Sequence, residues 1–311
     1  MEELTVYELR RILVPTDFSP HAAAALEHAV VLGERYRAEI TLLHVDEFIV
    51  SPLGSRDIEA DFIATYQRRK TEFYEEQFGI LYRGATGRSV RLCSQVKQGR
   101  AYKVIVEESE RQDYDLIVIA TRGLTHLSSY LIGSTAERVV RLSRQPVLSV
   151  QQAPRREGIV DSILCPTDLS PAGNVALSYA LSIARQNNAI LYLQYISELE
   201  KPESEAAVRK RLPDLAEHHP QAREVRVEYI FDRDVEPSNS INRFAEDRNV
   251  SMIVMSTHGK KGLRRVYIGN NTAEVVRQST RPVLTVTHPF HRKIFAHPVT
   301  EQSHRQIPHE Q

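Results

Sequence analysis

Cysteine is nearly absent from this chain, with two in 311 residues, Cys93 and Cys165. Both fall in apolar, strand-like runs in different halves, where a thiol acts as a small hydrophobe filling a core, so the pair reads neither as a disulfide framework nor as a metal site. A reducing cytoplasm fits that usage and is the expected location. An excess of charge of one sign is missing too: forty Lys plus Arg stand against forty Asp plus Glu, and no overall field draws the chain to nucleic acid or to an anionic membrane. No apolar run approaches the ~18 residues of a spanning helix, and the N-terminal MEELTVYELRRILVP lacks a signal core. Catalytic signatures are lacking as well. There is no G-x4-G-K-[ST] loop to clamp a β,γ-phosphate, no H-E-x-x-H, no H-x-G-H of nucleotidyl transfer, and no Ser or Cys nucleophile set with His and Asp. No residue is therefore assigned to catalysis or to a resident metal.

What is present is a repeat. Residues 120–150, ATRGLTHLSSYLIGSTAERVVRLSRQPVLSV, align without a gap on residues 256–286, STHGKKGLRRVYIGNNTAEVVRQSTRPVLTV, at an offset of 136. Gly123 matches Gly259, Gly133 matches Gly269, and Pro146-Val147-Leu148 matches Pro282-Val283-Leu284. An earlier pair, Pro15-Thr16-Asp17-Phe18-Ser19-Pro20 and Pro166-Thr167-Asp168-Leu169-Ser170-Pro171, lies at an offset of 151, with Ile196 falling where Val45 does. The second half is therefore shorter by about fifteen residues around its second helix, and only there. Domains are expected at 1–154 and 159–288, joined by the polar linker 151–158, with a tail at 289–311. Five histidines lie at the end (His288, His291, His297, His304, His309) at spacings that match no compact ligand set.

In each half, short apolar runs alternate with helical periodicity. In the first half, strands are predicted at 11–15, 40–45, 90–96, 115–120 and at the end of the glycine stretch. Helices are predicted from Ser19-Pro20, over 57–83, over 101–112 and after Gly133, with a loop at 51–56. Such alternation implies right-handed crossovers and a five-stranded parallel sheet per half. Ligands of these sheets sit outside the carboxyl ends of the strands, where Asp17 and Gly123 fall. The order strand, glycine turn, glycine-serine, helix is that of an anion cradle: glycine admits close backbone approach, and a helix start offers unpaired N–H groups.

An apolar strand ending in P-T-D-[FL]-S-P, a second strand ending in H-V (His44-Val45), and a final G-x9-G-[ST] before helix and strand together resemble the universal stress protein family. The resemblance covers nearly all of residues 8–287, as a tandem pair. It implies an α/β fold: two doubly wound five-stranded parallel sheets of the adenine-nucleotide α-hydrolase-like type, strand order 3-2-1-4-5, packed as a pseudo-dimer through their last strands. A homodimer of the tandem chain is a further assembly open to it. The resemblance also implies that Pro15, Thr16 and Asp17 meet adenosine and that Val45 offers backbone groups to adenine. Ala120, Arg122, Gly123, Gly133, Ser134 and Thr135 would surround the phosphates of ATP or ADP, accompanied by Mg2+ or Mn2+. The matching set in the second half is Asp168, Ile196, Gly259, Lys260, Gly269, Asn270 and Asn271. Both halves depart from the family's G-x2-G-x9-G-[ST] at its leading glycine, which is Ala120 here and Ser256 there. The second half also carries Asn270 where the family has Ser or Thr.

Each motif also has a structural reading. Asp17 and Asp168 suit a turn in their own right. Ser134-Thr135-Ala136-Glu137 forms a capping box, whose hydroxyl would serve the helix. In the second half the box is Asn271-Thr272-Ala273-Glu274, so the helix is expected to start one residue later. Each residue turns a helix by ~100 degrees, so that delay would redirect the free N–H groups and make the second site a weaker or different anion site. Lys260, Lys261, Arg264 and Arg265 read equally as a solvated face or as an attraction for anions. The leading functional reading is an ATP-binding regulator of a stress response without a dedicated catalytic site. An ATP-cleaving or ATP-activating enzyme on the same scaffold and an interaction scaffold with degenerate sites are the alternatives, and slow hydrolysis stays open at this point.

Overall fold

A computed structural model of the chain describes residues 9–47, 60–85, 87–123, 132–154, 160–198, 204–217, 220–257 and 269–287. The first half runs β1 (Arg11–Thr16), α1 (Pro20–Tyr36), β2 (Glu39–Asp46), α2 (Ala60–Gly84), β3 (Arg91–Gln98), α3 (Ala101–Arg111), β4 (Leu116–Ala120), α4 (Ser134–Leu142) and β5 (Val147–Val150). The second half repeats it as β6 (Ser162–Thr167), α5 (Pro171–Asn187), β7 (Ile190–Glu198), α6 (Glu205–Glu217), a 3-10 turn (Pro220–Glu224), β8 (Val227–Asp234), α7 (Pro237–Asp247), β9 (Met252–Ser256), α8 (Asn270–Gln278) and β10 (Val283–Val286). The length difference lies where the offsets place it: α2 has 25 residues and α6 has 13. The loop 51–56, the glycine-loop cluster at 260–265 and the histidine tail lie outside the described residues.

Local chemistry explains the elements. Ser19 caps α1 by accepting from Ala22 N at 3.1 Å, Pro20 takes the first helical position where no bonded N–H is lost, and Arg37 ends the helix at a left-handed φ of 56°. Ala22, Leu26, Ala29, Val30 and Gly33 form its buried face. The strands β1, β2 and β4 are apolar on nearly every residue because helices cover both sides of the sheet.

Within each half the strand order is 3-2-1-4-5, all parallel. The two sheets are not separate layers, however. They join edge to edge into one ten-stranded sheet, ordered β3-β2-β1-β4-β5-β10-β9-β6-β7-β8, through an antiparallel pairing of β5 with β10. Leu148 faces Leu284 there, while Ser149 faces Val283 and Val147 faces Thr285. Since Leu284 is the repeat counterpart of Leu148, a pseudo-twofold axis passes between them. Other counterparts also meet along that line: Arg35 Nη2 donates to Gln186 O at 3.3 Å, and Asn187 Nδ2 donates to Tyr36 OH at 3.0 Å. On the face carrying α1 and α5, Leu148, Val150, Leu284 and Val286 belong to one apolar core shared by both halves. On the other face each half keeps its own core, around Ile117 and Val139 in one and Ile253 and Val275 in the other, with Ile132 touching both.

One expectation about cysteine fails. Cys165 is buried in a central strand, and burial pushes its thiol pKa up to about 12. Cys93 is exposed, because β3 is an edge strand of mostly polar sequence whose residues reach solvent, and its thiol lies 3.3 Å from Thr41 Oγ1. Among the described residues, no helix is long and apolar enough to cross a membrane.

Candidate functional site

The strand order reverses at β1, which lies between β2 and β4, and the residues expected at a ligand site gather at the carboxyl ends of these three strands. Pro15 and Thr16 are the buried last residues of β1. Thr16 stands opposite His44 in β2, so the half-buried Val45 lies level with Asp17. Ala120 ends β4, and Thr121, Arg122 and Gly123 carry the chain outward.

Two side chains shape the turn after β1. Thr16 Oγ1 accepts from Phe18 N and Asp17 Oδ1 accepts from Ser19 N, each at 3.0 Å, and between them Phe18 is held at a left-handed φ of 64°. Thr167 Oγ1, Asp168 Oδ1 and Leu169 repeat the arrangement, with a φ of 59°. Asp17 thus does brace its turn, through Oδ1. Its Oδ2 points across to the glycine turn, where a β-carbon on Gly123 would lie 2.5 Å from it. A side chain at 123 would meet the carboxylate, so glycine there leaves Asp17 its place. Arg122 does not extend over the turn, since its Nη2 donates to Gln151 Oε1 at 3.2 Å. Gln151 in turn donates from Nε2 to Arg277 O at 2.9 Å, across the seam.

The helix that follows starts differently from the sequence expectation. Gly133, not Ser134, is the N-cap of α4, with extended φ and ψ of −62° and 136°; its own N–H donates to Thr121 O at 2.7 Å. Ser134 and Thr135 are the first two helical residues, too far along for the Ser134 hydroxyl to cap the N–H groups of the first turn. In the second half Gly269 is the N-cap of α8, at φ −58° and ψ 139°, and donates to Thr257 O at 2.8 Å. Asn270 and Asn271 are therefore the first helical residues, and the second helix is not delayed. A shared backbone constraint decides both starts: the glycine N–H is tied to the residue after the preceding strand, whichever side chains come next. Neither helix has a side-chain cap, whereas Ser19 and Ser170 cap α1 and α5. Uncapped first-turn N–H groups carrying the partial positive end of a helix suit an anion. Gly259 and Lys260 lie outside the described residues.

The sequence reading missed an aromatic group beside this edge. Phe18 stacks on His44 with ring centroids 4.6 Å apart, and Tyr74, Phe73 and Phe78 of α2 surround the pair. Lys70 of α2 forms an ion pair with the buried Asp46 at the end of β2, which ties the helix to the rim. His44 Nδ1 donates to Thr16 O at 2.9 Å. Burial holds the His44 pKa below its usual value, against the opposing pull of that carbonyl and of Asp46 and Asp17. The imidazole is thus neutral near pH 7, with Nε2 as its acceptor. The visible signal was Phe18 itself, a bulky residue directly after Asp17 in a turn that forces positive φ. The second half has Leu169 and Tyr195 at the corresponding positions.

Among the described residues, no group of three or more His, Cys, Asp or Glu side chains is arranged to hold a metal ion. Asp17 is the acidic side chain facing the glycine turn, so a divalent cation there would take most of its ligands from phosphate oxygens and water, as Mg2+ commonly does.

The model of the universal stress protein family matches residues 8–151 and again 160–287. A universal stress protein of Methanocaldococcus jannaschii is 31% identical over 148 residues, covering 48% of this chain and 85% of its own. One from Synechocystis is 23% identical over 306 residues, covering 89% of this chain and 99% of its own. Among solved structures, a universal stress protein from Archaeoglobus fulgidus superposes with a TM-score of 0.69 at 21% identity, covering 91% of this chain and 97% of that one.

Proposed function

The chain belongs to the universal stress protein family, and from that premise we propose that its first half binds an adenine nucleotide at the carboxyl edge of β1, β2 and β4 and acts as a regulator in a stress response. The observation that carries this reading is the approach of Asp17 Oδ2 to Gly123, into the space a side chain there would fill, beside a helix whose N-cap residue makes no side-chain cap bond. Adenine would lie against the backbone at Val45, with the Phe18–His44 stack as one wall. The ribose hydroxyls would donate to Asp17, as a carboxylate at such a turn accepts them. The phosphates would fall on the N–H groups of Ser134 and Thr135, where the helix dipole and open donors favour negative charge. A divalent cation would arrive with the phosphates and offset their charge.

Binding and release of the nucleotide, not its turnover, is the proposed activity. The test has two steps. Mass spectrometry of small molecules released from the untreated full chain should find adenine nucleotide, and calorimetry with ATP and Mg2+ should report binding lost in Gly133→Glu. Phosphate release from the same sample, if it occurs at multiple turnovers and disappears in Asp17→Asn, would replace the regulatory reading with an ATP-cleaving one.

A further inference from the structure

The helix α4 is held at both ends, and the two ends are held by different halves of the chain. At its start, Gly133 N–H donates to Thr121 O at 2.7 Å, and Thr121 N–H donates to Val150 O at 2.9 Å at the end of β5. At its finish, the carbonyl of the C-cap Ser143 accepts from the hydroxyl of Thr287 at 3.0 Å. Thr287 follows β10 and belongs to the second half. The repeat shows the same device turned round: Gly269 N–H donates to Thr257 O at 2.8 Å and Thr257 N–H to Val286 O at 2.9 Å, while Gln151 Nε2 donates to Arg277 O at 2.9 Å in the last turn of α8. Gln151 is the repeat counterpart of Thr287. The bonds therefore close into a circuit, from Gly133 through Thr121 and Val150 to Gln151, along α8 to Gly269, then through Thr257 and Val286 to Thr287 and back along α4.

The antiparallel pairing of β5 with β10 makes this possible, because it sets the end of β10 beside the finish of α4 and the end of β5 beside the finish of α8. Carbonyls at the finish of a helix have no partner inside it, so a side chain that takes one fixes where that end lies. The helix α4 has nine residues and is about 13 Å long. Thr287 is thus too far from the first turn to touch a ligand there. Ala136, Val139 and Val140 keep α4 on its own sheet, but an apolar face alone leaves a short helix able to tilt about its N-cap. Such a tilt would turn the N–H groups of Ser134 and Thr135 away from a phosphate.

We propose that Thr287 is a positioning residue for the nucleotide site of the other half: by holding the finish of α4 it aims the N–H groups at the start. This role rests on the nucleotide reading above, and it makes the first site dependent on the second half.

Calorimetry with ATP and Mg2+ on variants of the full chain, each first shown to keep the wild-type circular dichroism, tests it. Thr287→Val keeps the shape and removes the donor, and it should weaken ATP binding by about threefold to tenfold, the worth of one neutral hydrogen bond. Thr287→Ser keeps the donor and should bind as the wild type does. Thr285→Val is the control, since it removes a seam bond of the same kind, from Thr285 Oγ1 to Val147 O at 3.2 Å, that does not touch α4. It should lower the unfolding midpoint and leave ATP affinity unchanged. Hydrogen exchange without nucleotide gives a second readout: Ser134 to Leu142 should exchange faster in Thr287→Val than in Thr285→Val. Wild-type affinity in Thr287→Val, equal losses in Thr287→Val and Thr285→Val, a loss in Thr287→Ser as large as in Thr287→Val, or unaltered exchange in α4 would each overturn the positioning role alone. A wild-type chain that binds no ATP would overturn the nucleotide reading and this role with it.

Discussion

The Asp17 carboxylate lies where a side chain on Gly123 would begin: Oδ2 is 2.5 Å from the ideal β-carbon position. Its other oxygen is bonded to Ser19 N, so the group cannot swing away without opening the turn after β1. Gly123→Ala should therefore weaken nucleotide binding by about tenfold or more while costing roughly 1–3 kcal/mol of stability, as overpacking does. Asp17→Ala removes the obstacle, so adding Gly123→Ala to it should cost almost no further stability. A double-mutant cycle read by chemical denaturation checks this, and additive losses would place the strain elsewhere.

Gly133→Glu puts volume and negative charge on the N-cap proposed to face the phosphates. Nucleotide affinity should fall below detection in calorimetry, with the thermal unfolding midpoint little changed. The glycine's φ of −62° is open to any residue, so the loss is not one of backbone strain.

His28 and His44 both titrate below the ordinary 6.5 because burial disfavours their charged forms. Below about pH 6.5 the unfolded chain therefore holds more protons than the folded one, and stability rises with pH. The contribution is present above 6.5 and is lost as the pH falls through the lowered folded values. Differential scanning fluorimetry should show the midpoint dropping between about pH 7.5 and 5.5, and dropping less in a His28→Gln, His44→Gln double variant.

Native thiol titration with a disulfide reagent should find one reactive group, Cys93, and a second only in denaturant. Cys165 is 0% exposed and its thiol is held at about 12 by burial, so it stays protonated in the folded chain. Two fast thiols in the native protein would contradict the packing of β6.

Residues 1–154 expressed alone should dimerise. Removing the second half uncovers β5, whose Val147, Leu148 and Val150 are buried in the full chain, and an unpaired apolar edge takes a like partner. Light scattering should give twice the chain mass at micromolar concentration. In the full chain, Leu148→Ala should cost about 2–5 kcal/mol, as core truncations do.

Much of this architecture was legible in the sequence because it is written in period and repetition. Apolar runs marked the covered strands, Ser-Pro marked the starts of α1 and α5, and the two offsets located the length difference at the second helix. Other features were hidden because they depend on neighbours far along the chain. The expected order 3-2-1-4-5 already puts strand three at the edge and RLCSQVKQ is mostly polar, so the reading of Cys93 as core gave too little weight to both. The capping boxes pointed to helix starts at Ser134 and one residue later at Asn271. Tertiary hydrogen bonds from Gly133 N to Thr121 O and from Gly269 N to Thr257 O override that local preference and start both helices at the same place. The helix start in the second half therefore matches that of the first, with Asn270 in the place of Ser134. Nor does sequence spacing reveal that α2 would bring Tyr74 and Phe73 against Phe18.

The covalent join through residues 151–160 changes what a mutation at the seam can do. In an assembly of two identical chains, every substitution near the axis is made twice, and a charge placed there meets its own copy. Here Leu148 faces Leu284, but they are encoded separately, and Arg35 can rest against Gln186 with no second arginine to repel it. Fusion has thus turned a symmetric surface into one that can acquire handedness one residue at a time.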